Sequence, residues 1–126
     1  MGFLEKWQPQ LLSVLRIMSG LLFLEHGTAK LLHFPHVAMF DNLKLASMAG
    51  VAGLIEMFGG ALVTVGLFTR YAAFIMSGEM AVAYFTVHAK QSFFPLFNAG
   101  EAAILFCFVF LYIASAGPGP LSIDRK

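Results

Sequence analysis

Four carboxylates are spaced along an otherwise apolar chain, at Glu25, Glu56, Glu79 and Glu101. Each falls in a stretch hydrophobic enough to enter a bilayer, where an ionised side chain costs roughly 3 kcal/mol or more. His26, His88, Lys30 and Lys90 accompany them. Carboxyl, imidazole and ammonium groups gathered in low dielectric can pass protons, pair as ions or hold a polar solute. Desolvation and mutual repulsion forbid four free carboxylates in one layer, so pairing or protonation of some is expected.

Glu56 is central. It lies midway along GVAGLIEMFGGALVTVGLFTR, residues 50–70, which is about one membrane span long. Ala49, Ala52, Gly53, Gly59 and Gly60 share a broad helical face with it. Faces of small residues are where membrane helices pack closely, so Glu56 is expected to point into a bundle and away from lipid. Its expected neighbours by depth are His26 and Lys30, with Glu101 as a competing acid.

The elements that position these groups follow from composition. The 126 residues are 59% hydrophobic and only 12% charged, about half the charged share of a soluble domain. Mean hydropathy is +0.79. These values indicate an integral membrane protein whose first partner is the lipid bilayer. The net charge of +1 and the lack of a basic cluster argue against nucleic acid. Cys107 is alone, so the chain offers no intrachain disulfide and no CxxC. The apolar stretch after Lys6 runs into Glu25, His26 and Lys30 without a small-x-small cleavage site, and reads as a retained first span.

Four spans are expected, at about 11–32, 48–68, 71–88 and 98–116, in one domain covering residues 1–126. Residues 33–47 form the longest connection, in which VAMFDNL could be a short interfacial helix and His33 and His36 are solvated. Thr69 and Arg70 are expected to make a tight turn, and GPGP after Ala116 stops the last span. The fold class is thus all-α, an integral membrane four-helix up-down-up-down bundle. Lys6, Arg70, Arg125 and Lys126 on the terminal side, with Arg16 near it, outnumber Lys30, Lys44 and Lys90, which favours cytoplasmic termini. A rise of about 1.5 Å per residue puts Glu25 and His26 about 10 Å, and Glu56 about 12 Å, below the outer face. Glu79 is near mid-depth, and Glu101 and His88 are near the outer ends of their spans. The inner half is expected to be nearly all apolar.

Four segments resemble, in order, the DoxX-like family of small bacterial and archaeal membrane proteins: GLLFLEHGTAKLLHF, AGVAGLIEMFGGALVTVGLFTR, EMAVAYFTVHAKQSFFP and NAGEAAILFCFVFLYIASAGPGPLSIDR. The resemblance covers nearly the whole chain. It implies a four-helix inner-membrane protein, with relatives that serve as subunits of a quinone-reducing oxidoreductase or are associated with oxidative and thiol stress. At Glu56, Gly59, Gly60, Arg70, His88 and Glu101 it carries motif positions without catalytic roles.

Three functions compete. In a quinone-linked redox subunit, His26 and Glu56 would relay the two protons of quinone reduction, with Glu25, Lys30, Glu79, His88 and Glu101 as ligand-binding residues. The chain has no Rossmann fingerprint and no iron–sulfur cysteine set, so a partner redox protein or soluble donor would supply electrons. A small-molecule permease or binding protein would use the same layer to hold a solute; four short spans then call for a homo-oligomer, and no inverted repeat is visible. A haem or metal site would use His26 and His88, yet no span carries the Glu-x-x-His of di-iron bundles and no metal ligand set is assigned. A fourth reading is a purely structural hydrogen-bonded network in a scaffold protein.

Overall fold

The computed structural model describes residues 1–124; Arg125 and Lys126, counted above in the charge balance, lie outside the described residues. The described residues are helical and contain no strand. The short α1 (Gly2–Glu5) leads into α2 (Gln8–Leu31), with Pro9 in its first turn, where a missing N–H costs nothing. The long connection carries one 3-10 turn, Ala38–Phe40, within the VAMFDNL segment. Helix α3 spans Met48–Val65 and α4 spans Thr69–Ala83, the latter continuing as a π-helix over Tyr84–His88. The short α5 (Pro95–Asn98) precedes α6 (Glu101–Ala116). Helices α2 and α3 are long and apolar enough to cross a membrane, and α6 is a shorter apolar helix.

Packing follows the small residues. Helix α2 lies against α3, α4 against α6, and α3 against α4, whereas α2 and α6 stand further apart and meet through Phe23 against Phe106 and Phe110. The α2–α3 approach is close. A Cβ on Gly60 would come within 2.6 Å of the Leu24 nitrogen, and one on Gly20 within 2.6 Å of Thr64 Oγ1. A Cβ on Gly27 would collide with the Met57 backbone. Phe23, Val63, Ala73, Met76, Phe110 and Ile113 fill the core between the helices and are essentially inaccessible.

Two expectations need correction. The tight turn is not Thr69–Arg70, which open α4. It is Gly66–Phe68, because Gly66 adopts the left-handed conformation (φ 75°) that only glycine takes without cost. The N–H groups of Gly66 and Leu67 then satisfy the carbonyls of Val63 and Leu62, the pattern of a glycine-terminated helix. Nor is the terminal end merely apolar. Ser13, Arg16, Ser19 and Thr69 are buried there, and the residues after α6 fold back over them.

Candidate functional site

Lys30, Glu56 and Glu79 converge where α2, α3 and α4 meet. Lys30 is in the last turn of α2, a favoured place for a cation beside free carbonyls. Its Nζ lies 2.8 Å from Glu56 Oε1 and donates a hydrogen bond of 3.0 Å to Oε2. The Oε1 approach is ionic only, outside hydrogen-bond alignment. Glu56 is 2% exposed. Glu79 reaches toward the pair from α4, close enough for its charge to act on Glu56 and Lys30. Its Oε1 is buried without a hydrogen-bond partner. On the side of the long connection the Lys30 ammonium stands 5.8 Å from the centre of the Phe40 ring, which the 3-10 turn brings over it.

The chemistry of this cluster lies in its charge count. One ammonium balances one carboxylate, and two carboxyls face it. Glu79 thus brings a second carboxyl to a site in which the ion pair joins Lys30 to Glu56 alone.

The other candidate residues are distributed differently. His26 forms no hydrogen bond or ion pair with Glu56 among the described residues; Lys30 holds that place. His26 is exposed, with its ring near those of Phe23 (6.4 Å) and Phe106 (6.5 Å) in the sparsely packed seam between α2 and α6. It sits four residues before Lys30, so the two share one helical edge. Glu25 and Glu101 are exposed and stand apart from the cluster. Glu101 opens α6, where a carboxylate favours the positive end of the helix dipole. His88 belongs to another network, in which its Nδ1 lies 2.9 Å from the Asn98 carbonyl oxygen and therefore donates. The Asn98 amide, fully buried, donates to the Tyr84 hydroxyl and the Ser92 carbonyl and accepts from the Gly100 N–H.

Sequence reasoning missed two groups. Asn98 stood unnoticed between Pro95 and Gly100, although a polar residue in an apolar loop near a histidine is a usable signal. Arg16 was seen only as a topology charge. Yet Arg16, Gly20, Phe23, Gly27 and Lys30 recur at the three- and four-residue steps that mark one inward face of α2. Arg16 is 1% exposed. Its guanidinium donates to the Val63 carbonyl at 2.9 Å, to Leu121 at 2.6 Å, to Thr64 at 3.5 Å and also to Pro118.

The sequence profile of the DoxX family matches residues 11–89 of the chain. An uncharacterized protein of Haemophilus influenzae is 45% identical over 130 residues, covering all of this chain and 97% of that protein. The putative oxidoreductase CatD of Bacillus subtilis is 30% identical, with 88% of this chain and 82% of that protein covered. An uncharacterized membrane protein of Mycobacterium tuberculosis is 25% identical, with 94% and 82% covered. No solved structure matches the chain.

Proposed function

The chain belongs to the DoxX family of membrane proteins, and from that premise we propose that it is the quinone-linked membrane subunit of a bacterial oxidoreductase. On this reading the four longer helical segments, α2, α3, α4 with its π-helix and α6, span the inner membrane in up-down-up-down order with cytoplasmic termini. The Lys30–Glu56–Glu79 cluster then lies in the outer half of the bilayer.

The observation that carries the reading is the Lys30–Glu56 ion pair, with Glu56 buried and the half-buried Glu79 beside it. Quinone reduction consumes two electrons and two protons, and the protons must be delivered to ring oxygens within the membrane. Glu79, Glu56 and Lys30 form a proton store of suitable depth. His26 is one helical turn away, at an aromatic seam open to lipid, where a flat quinone ring can stack edgewise on Phe106 and accept a hydrogen bond from the imidazole. The likeness to a protein named as a putative oxidoreductase supports a redox role. Electrons come from a partner redox protein, since the chain has a single cysteine and no cofactor motif. The quinone is substrate, released as quinol.

The test is Glu56→Gln in reconstituted vesicles supplied with quinone and a membrane electron donor fraction. An amide keeps the side-chain volume but cannot take up a proton. The variant is expected to fold with wild-type thermal stability to within about 1 kcal/mol and to lose at least ten-fold in quinone reduction. A folded variant with full turnover returns the cluster to a packing role.

A further inference from the structure

Arg70, in the first turn of α4, spends only part of its guanidinium on the protein. Its Nη1 donates to the carbonyls of Ala114 (3.2 Å) and Ser115 (2.5 Å) in the last turn of α6, where a cation complements the helix dipole. Those bonds fix the group in place. Its Nε and Nη2 donors have no acceptor among the described residues. Gly117 leaves room beside them, since a Cβ there would stand 2.8 Å from Nη2 and 3.5 Å from Nε. The guanidinium borders an open groove whose other walls include Pro9, Leu12, Pro118 and Gly119, with no carboxylate among the described residues. Asp124, which caps the start of α4, is taken up by the N–H groups of Phe68 and Thr69. A second, apolar groove adjoins the first through Pro9 and Leu12 and is lined further by Leu11, Leu15 and Tyr112. It follows residues 8–15 of α2, about 10 Å at the rise of a helix. Beyond it the α2–α6 seam is closed by Phe23 against Phe106 and Phe110.

We propose that the two adjoining grooves hold one anionic glycerophospholipid, with its phosphate on Arg70 and the start of one acyl chain against Leu12, Leu15 and Tyr112. The two charged oxygens of a phosphodiester match the fork that Nε and Nη2 leave unused. An anionic head is favoured over a zwitterionic one, because an ammonium would meet a fixed cation and no carboxylate in this groove. A lipid is favoured over free phosphate, because the adjoining apolar slot is of use only to a chain. Trp7, at the junction of α1 and α2, suits the headgroup level at this same end of the bundle. A lipid seated there joins α4 and α6 to α2 where α2 and α6 stand apart. The site lies at the other end of the bundle from Lys30 and Glu56 and does not depend on the quinone reading.

The experiment titrates the protein in neutral detergent with phosphatidylglycerol and with phosphatidylcholine of the same acyl chains, and counts bound lipid by native mass spectrometry. Wild type is expected to take up one phosphatidylglycerol about five-fold more tightly than phosphatidylcholine, the worth of one basic side chain at an anionic surface. Arg70→Gln should bind the two lipids equally. Leu15→Trp fills the apolar slot and should weaken both lipids about four-fold, the worth of one buried methylene, while keeping the preference. Inorganic phosphate should displace neither lipid. A folded Arg70→Gln protein that still prefers phosphatidylglycerol would overturn the site. Displacement of the lipid by inorganic phosphate, with full binding to Leu15→Trp, would make the groove an anion site only and overturn the lipid. Arg70→Gln also removes the two bonds to α6. If it fails to fold, Leu15→Trp carries the test, and an unchanged affinity for phosphatidylglycerol in that variant overturns the proposal. None of these readouts involves quinone turnover, so the function proposed above stands or falls separately.

Discussion

The two ends of the bundle each bury a basic side chain on the inward face of α2, and they treat it in opposite ways. Arg16, at the terminal end, is surrounded by carbonyl oxygens from the end of α3 and from the residues after α6. Its planar fork meets acceptors in several directions, and Asp124 adds a compensating charge nearby. The result is a closed network. Ser13 Oγ donates to the Pro118 carbonyl and accepts from the Leu121 N–H, fastening the same segment. Lys30, at the other end, pairs with Glu56 alone, and the nearby Glu79 Oε1 is buried without a hydrogen-bond partner. A closed network holds the fold; one left short of a partner can change its proton count. Arginine, a planar fork of five donors, occupies the first, and lysine, a compact point charge, occupies the second.

The largest expected effect is therefore at Arg16. Arg16→Met retains the apolar stem but removes the donor from four carbonyls; Val63 and Pro118 keep the Gly66 N–H and Ser13 Oγ, while those of Thr64 and Leu121 are left short, at about 1–3 kcal/mol for each group that finds no substitute. A loss of about 3 kcal/mol or more is expected, read as the midpoint of thermal unfolding in detergent by circular dichroism, and Arg16→Lys should recover little of it. A variant as stable as wild type would mean that the residues after α6 are not held by this clamp, and the contrast between the ends would collapse.

Lys30→Met should give the intermediate effect and a different pattern. It leaves two carboxyls facing each other with no cation, yet the site can neutralise itself by binding another proton, an escape denied to the carbonyls around Arg16. A destabilisation of about 1–2 kcal/mol is expected, with quinone reduction lost by ten-fold or more. Equal losses of stability in the Arg16 and Lys30 variants, with activity intact in the latter, would make both ends structural.

The same contrast explains what was legible in the chain. The helices were readable because long apolar runs are bounded by strong punctuation at Pro9, Pro95 and the run after Ala116, whereas the cap at Gly66 was passed over and the turn placed too late, at Thr69–Arg70. That Glu56 is buried was readable from the glycines beside it, and Lys30 was among its expected partners. Which carboxyl completes the cluster was not readable. Glu79 and Glu101 look alike in sequence, and the choice depends on the rotation of α4 and α6 about their axes, which packing sets. The small size of Gly59 is part of that setting, since it admits the Met76 side chain of α4. His26 and Lys30 also differ by only about 40° around α2, yet one faces the cluster and the other the α6 seam. The fold-back after α6 was invisible because its bonds are almost all to backbone carbonyls, which leave no mark on residue types. Only Arg16 and Asp124 betray it.

Asp124 gives the smallest effect and the one most specific to the terminal end. Its Oδ1 accepts from the Phe68 N–H at 2.9 Å and its Oδ2 from the Thr69 N–H at 2.8 Å. These are free donors at the start of α4, so a side chain from the other end of the chain caps that helix. Burial pushes the Asp124 carboxyl up, but the Thr69 and Phe68 donors and the Arg16 charge outweigh it and hold it below its ordinary value of 3.8. The sign follows from linkage. The carboxylate binds its proton less readily in the folded protein, so its contribution is fully present above pH 3.8 and is lost as pH falls through the lower folded value. Asp124→Asn keeps one acceptor oxygen and loses the charge. It should lower stability near neutral pH by up to about 1 kcal/mol, in the range of a helix cap, and its stability should converge with that of wild type as pH falls through the lowered folded value. Unfolding midpoints of the two proteins measured between pH 7 and pH 2.5 decide the matter. A difference that stays constant over that range would remove the charge from the account of how this end of the bundle is closed.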